Sequence, residues 1–212
     1  VRVTGAVSEF QGQTQISTSN AQVLVCGTGS VTPTDVMLPF ADAAWPERYE
    51  GMLVRLPQVL TVTEHFQLGR FGQVVLSVDG RQAQPTNVVA PGAAAIALEA
   101  ANRLGRIILD DPLQTQNPDP ILFGRGGQLL SASNTLRGGD TASGIVGVMT
   151  YTSAGNSASG NAWRVRPVGA LGGAVPAFQP ANARPVGTPL PTAGLRVAGF
   201  NVYTESEAIK RN

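Results

Sequence analysis

The stretch between residues 49 and 82 constrains the fold most. YEGMLVRLPQVLTVTE (49–64) is a long run of β-branched and aliphatic residues interrupted at Pro57. Met52, Val54 and Leu56 recur with period two, which places them on one face of a strand. The segment QLGRFG leads into QVVLSV (73–78), and Asp79-Gly80 is a strong turn dipeptide. Residues 50–82 therefore read as a strand pair, broken or bulged at Pro57, because proline cannot donate to a ladder.

Similar but shorter runs fill the rest of the chain. VRVTGAVSEF (1–10) alternates, Gln11-Gly12 makes a turn, TQIS follows as a second strand, and QVLVC (22–26) is a third. Residues 31–47 hold Pro33, Pro39 and Pro46 and read as a connector. Residues 91–104 are the one strong helix candidate, with Pro91 in the first turn, an alanine-rich body and Gly105 at the end. RIILD (106–110) reads as a buried strand, and 111–128 as a proline-containing loop. GIVGVMTY (144–151) and AWRVRPV (162–168) form a final strand pair joined by TSAGNSASGN. Residues 169–194 read as a Gly/Pro/Ala-rich linker, and LRVAGFNV (195–202) as one more strand.

A short internal repeat ties the two ends together. VTGAVSEF (3–10) parallels IVGVMTYT (145–152), with Gly5 and Gly147 in the same place, and each is followed by a turn and a second strand. Both would be the closing hairpin of a small barrel, with the glycine relieving crowding at a bend. The expected fold is mostly β: OB-fold-like barrels with one inserted helix, then a linker and a terminal strand. The expected domains are 1–47, half of a first module and a connector; 48–168, a second module; 169–194, the linker; and 195–212. The helix falls after the second strand rather than the third.

Composition narrows the function classes. Charged residues make up 14% of the chain and the net charge is +1, so strong, purely electrostatic attraction to nucleic acid is excluded. No apolar run approaches the ~18–20 residues of a membrane span. Hydrophobic residues reach 42%, ample for a core. Every basic residue except Lys210 is arginine, a bias of the genome or a preference for bidentate phosphate contact. The chain opens on Val1, without Met or a signal peptide and directly in a strand-like pattern, as expected of a fragment or processed form. The single cysteine, Cys26, reads as a free thiol, a thiol paired elsewhere or a buried cysteine.

Three segments resemble the multidomain extracellular nucleases of bacteria (ExeM/NucH type): VRVTGAVSEFQGQTQIS (1–17), RYEGMLVRLPQVLTVTEHFQLGRFGQVVLS (48–77), and QPTNVVAPG (84–92) through RIILDD (106–111) to NTLRGGDT (134–141). In that family OB-like modules precede a catalytic domain of the endonuclease/exonuclease/phosphatase superfamily, which opens on a strand similar to LRVAGFNV. The resemblance matches Asn201 to an asparagine that positions phosphate or metal. It implies an extracellular parent that hydrolyses phosphodiester bonds with a divalent metal, Mg²⁺ or Ca²⁺. The rest of that catalytic set does not occur here, so the chain itself is expected to be inactive and to act with a separate catalytic domain. The tail YTESEAIKRN, which holds Lys210, departs from the family pattern.

Three groups of residues carry candidate chemistry. His65, the only histidine, lacks the partners for a zinc site or a general base and reads as a surface or turn residue. Asp110 and Asp111, with Asn117 and Asp119 in the following loop, offer oxygen ligands suited to Ca²⁺, or else simply initiate turns. Arg55, Phe66, Arg70, Phe71, Arg81 and Arg137 combine outward guanidiniums with nearby rings, the chemistry of phosphate contact and base stacking. Single-stranded DNA or RNA is the expected partner. The alternative is a structural module that self-associates through unpaired N-terminal strands. A carbohydrate or matrix ligand is a third reading, since OB-folds also bind oligosaccharides.

Overall fold

The computed structural model describes residues 1–113, 115–153 and 160–182. The strand expected at 195–202, Asn201, the linker beyond 182 and most of the 152–161 loop lie outside the described residues. The chain begins with four short strands: β1 (Arg2–Val3), β2 (Ala6–Phe10), β3 (Gln13–Ser17) and β4 (Val23–Leu24). β2 and β3 form an antiparallel hairpin closed by Gln11 and Gly12, whose φ angles are 55° and 84°. β1 pairs with β4. No residue from 1 to 35 is buried, so this region has no core of its own.

The core belongs to the eight strands after β4. β5 (Thr34–Asp35), β6 (Leu53–Leu56), β7 (Leu60–Glu64), β8 (Val74–Ser77), β9 (Arg106–Leu109), β10 (Thr141–Ala142), β11 (Ile145–Thr152) and β12 (Ala162–Arg166) form one sheet. Its order is β10-β7-β8-β9-β12-β11-β6-β5. Pairs β5/β6 and β9/β12 are parallel and the rest antiparallel. β6 and β7 are consecutive pieces of the run split at Pro57, yet they occupy opposite flanks of the sheet. The sheet therefore curls, and one bent run supplies both flanks of a partly open, OB-like Greek-key barrel. The fold is mostly β, as expected, with one long helix.

That helix, α2 (Ala93–Leu104), follows a one-turn helix α1 (Leu68–Phe71) in the chain. It lies between β8 and β9, the position read from the sequence. Gly92 caps its start and Gly105 its end, where the Gly105 N–H donates to the Ala101 and Asn102 carbonyls. Only Ala95 of its residues is buried, so helix propensity rather than packing sustains most of α2. No helix among the described residues is long and apolar enough to cross a membrane.

Several expectations change. Segment 31–47 is more than a connector, because Val36, Leu38 and Phe40 are buried in the barrel core and β5 adds a strand to β6. Its prolines prevent a long ladder but not the burial of side chains between them. Residues up to 182 also belong to the barrel rather than to a linker. Phe178 is fully buried against Phe123, with ring centroids 6.3 Å apart, and Gln179 bridges Thr141. Arg70 and Phe71 lie on α1, a helical turn between β7 and β8 that ends at Gly72 (φ 66°).

The repeat has a geometric counterpart. A Cβ on Gly147 would sit 2.5 Å from the Arg166 carbonyl oxygen, and one on Gly5 2.3 Å from that of Ser17. Val148 pairs with Arg166 and Ala6 with Ser17, so each glycine precedes the residue paired with the obstructing carbonyl. The β2–β3 and β11–β12 hairpins thus share the same close backbone approach. They differ in surroundings: β11 and β12 are flanked by β6 and β9, whereas β2 and β3 pair only with each other.

Candidate binding face

The six residues expected to contact nucleic acid do not form one patch. Arg55 points outward from β6 but is clamped by Asp35, with Nε and Nη2 donating to the carboxylate at 2.6 and 2.8 Å. The contact holds the Asp35 carboxyl below its usual range. Phe66, Arg70 and Phe71 sit at the β7–β8 tip. Phe66 is 92% exposed, whereas Phe71 is buried. Arg70 lies over the Phe71 ring at 5.3 Å and donates to Gln116. Arg81 follows the opposite end of the strand pair, against Gly138 and thus beside the loop of Arg137.

Asp140 organises that loop. Arg125 donates to it twice, at 2.7 and 2.9 Å, and the backbone N–H groups of Arg137 and Ala181 complete the cage. Burial opposes ionisation of Asp140, but these donors outweigh it and hold its carboxyl below the ordinary value. The RGGD segment at 137–140 thus pins the chain at 125 and 181 to the barrel, and Arg137 serves it through its backbone.

The aspartates expected to ligate metal lie next to the same β7–β8 tip. Asn117 N–H donates to the Arg70 carbonyl, and a Cβ on Gly72 would overlap the Asp111 carboxylate. Asp110 is fully buried, and its Oδ2 accepts from Arg166 at 2.7 and 3.1 Å, with Arg164 3.6 Å away. Burial raises the Asp110 carboxyl above its ordinary value, and the two guanidiniums offset part of that. Asp111 accepts from the Leu113 N–H through Oδ1, while its buried Oδ2 has no partner among the described residues. Burial pushes its carboxyl up to about 6. Asp119 is exposed. No cluster of three His, Cys, Asp or Glu residues with metal-ligand geometry occurs among the described residues.

Arg164 is the unexpected element of this region. It is fully buried, yet donates to Gln73, to the Thr152 carbonyl at 2.6 Å and to the Gly160 carbonyl at 2.8 Å. Arg166 adds a bond to the Ser153 carbonyl. These two arginines fasten both ends of the β11–β12 loop to Asp110 at the end of β9. The alternation Trp163-Arg164-Val165-Arg166 was the available sequence signal. It showed two arginines on one strand face, but not the carboxylate between them.

A groove of 490 Å³ runs between the β7–β8 tip and the base of the β11–β12 loop. Phe66, Gln73, Ile108, Tyr151, Asn161 and Trp163 are among its lining residues. The Tyr151 and Trp163 rings touch, with centroids 5.0 Å apart and planes tilted by 50°. Arg106 and Arg103 stand on its other side, tied to Glu64 and Glu99 at 2.9 to 3.5 Å. The groove thus offers rings, amides and two arginines whose charge is largely compensated. In an OB-fold, the face of strands two and three between loops 1–2 and 4–5 is where oligonucleotides and oligosaccharides bind. Here those strands are β8 and β9, and the loops are the segments joining β7 to β8 and β11 to β12. Comparison with known proteins finds no matching family model, curated protein or solved structure.

Proposed function

We propose that this chain is the non-catalytic OB-like region of a secreted, metal-dependent nuclease, and that it holds single-stranded DNA or RNA for a catalytic domain. The observation that supports this reading is the aromatic groove between the two loops, with the solvent-exposed Phe66 at its mouth. Bases stack on such rings without regard to sequence, and each stacked base contributes about 1–3 kcal/mol. In this reading Mg²⁺ or Ca²⁺ belongs to the catalytic domain of the parent, to which Asn201 would contribute.

The test is titration of a labelled single-stranded oligonucleotide at low and rising salt. Affinity falls as salt rises, because phosphate contacts release counterions. Phe66→Ala combined with Trp163→Ala lowers affinity at least tenfold without changing the salt slope, because neither residue carries charge. Absence of binding at low salt refutes the reading.

A second reading, self-association, is favoured by one observation: both outer edges of the β2–β3 hairpin are unpaired among the described residues. Such edges recruit strands. Sedimentation over a concentration series distinguishes this reading by a dimer that Val7→Lys abolishes.

A further inference from the structure

The hairpin that lacks a core is not detached from the groove. Its tip rests on Tyr151, where a Cβ on Gly12 would lie 2.9 and 3.0 Å from two ring carbons. Beside it, the Asn161 side-chain amide donates to the Gln11 carbonyl at 2.7 Å. Tyr151 and Asn161 both line the groove, and Tyr151 packs on Trp163. A third contact lies away from the groove, where the Thr14 N–H donates to Glu50 at 3.2 Å. With no buried residue in the hairpin, contacts such as these are what hold its tip in place among the described residues.

From this geometry we infer that the β2–β3 tip is a positioning element of the nucleic-acid groove, coupled to it through Tyr151 and Asn161. The inference rests on the groove's being the nucleic-acid site. Gly12 fits because only a residue without Cβ combines its φ of 84° with contact against the ring. Docking of the tip holds the Tyr151 ring against Trp163 and orients the Asn161 amide, so the wall is pre-formed before a base arrives. Coupling is reciprocal: if the docked tip favours the bound strand, the bound strand favours the docked tip.

The test uses the full chain and oligothymidylate. Gly12→Val lowers affinity about fivefold or more, the lower end of ordinary coupling between sites. Glu50→Ala, at a residue that does not line the groove, lowers it in the same direction. In a Tyr151→Ala background Gly12→Val costs nothing further. Saturating oligothymidylate slows hydrogen exchange of the Thr14 amide, a readout that a merely structural hairpin would not move. Unchanged melting temperatures for both single variants exclude loss of the barrel as the cause. If the native chain binds but both variants bind equally well and Thr14 exchange is unaffected, the inference is overturned and the groove reading stands. If the native chain does not bind, both fall.

Discussion

Substituting alanine at Gly147 and at Gly5 tests whether two similar hairpins share one geometry but not one core. At Gly147 the added Cβ would meet the Arg166 carbonyl oxygen at 2.5 Å, its carbon at 2.6 Å and Val165 Cγ1 at 2.8 Å. Two of these are backbone atoms of β12, which is held between β9 and β11. Relief requires β11 and β12 to separate, and Val165 and Met149 on those strands are fully buried. Forcing extra volume into such a site costs about 1–3 kcal/mol, and the backbone obstruction argues for the upper half of that range. For a domain of this size that lowers the melting temperature by roughly 5–10 °C. At Gly5 the contact is tighter, 2.3 Å to the Ser17 oxygen, yet the hairpin buries nothing. Gly5→Ala should therefore leave the main transition within about 0.5 kcal/mol and act only locally. Urea denaturation followed by tryptophan fluorescence measures the first effect, and amide exchange in residues 6–17 the second. An unperturbed transition in Gly147→Ala refutes the close approach, and equal losses in both variants refute the separation of the hairpin from the core.

Other outcomes depend on the charged groups. Asp110→Ala leaves the buried Arg164 and the partly buried Arg166 without their carboxylate and should cost about 3–5 kcal/mol, measured by the same denaturation. Asp111, raised to about 6 by burial, binds its proton more tightly folded than unfolded. Its contribution to stability is thus full below about pH 4 and is lost as pH rises through about 6, a change on the order of 2–3 kcal/mol. Asp111→Asn should flatten the melting temperature across that window, and an unchanged profile would disprove the assignment. Arg55→Ala removes only a half-exposed pair with Asp35, so its effect on the denaturation midpoint should be small and shrink in high salt.

Local features were legible in the sequence because they depend on neighbours a few residues away. Period-two alternation located the strands. Asp79-Gly80 marked a turn, where both residues have positive φ. Alanine content and Gly105 marked the helix, and Gly5 with Gly147 marked two matching hairpins. What each side chain faces depends on the order in which strands pair, and alternation alone does not encode that order. Phe71 is buried on the one-turn helix, while Phe66, five residues earlier, stays exposed. The parallel pairing of β9 with β12 puts Arg164 and Arg166 over Asp110, an ion-pair cluster that looks like separate surface charges when read along the chain. The same pairing brings Trp163 and Tyr151 within reach of the β7–β8 tip, so the groove is a product of the tertiary structure. Residues 36–40 and 175–178 show the same division. Their prolines announce irregular backbone, but whether an irregular segment is exposed or buried is decided by the apolar surface left uncovered elsewhere in the barrel.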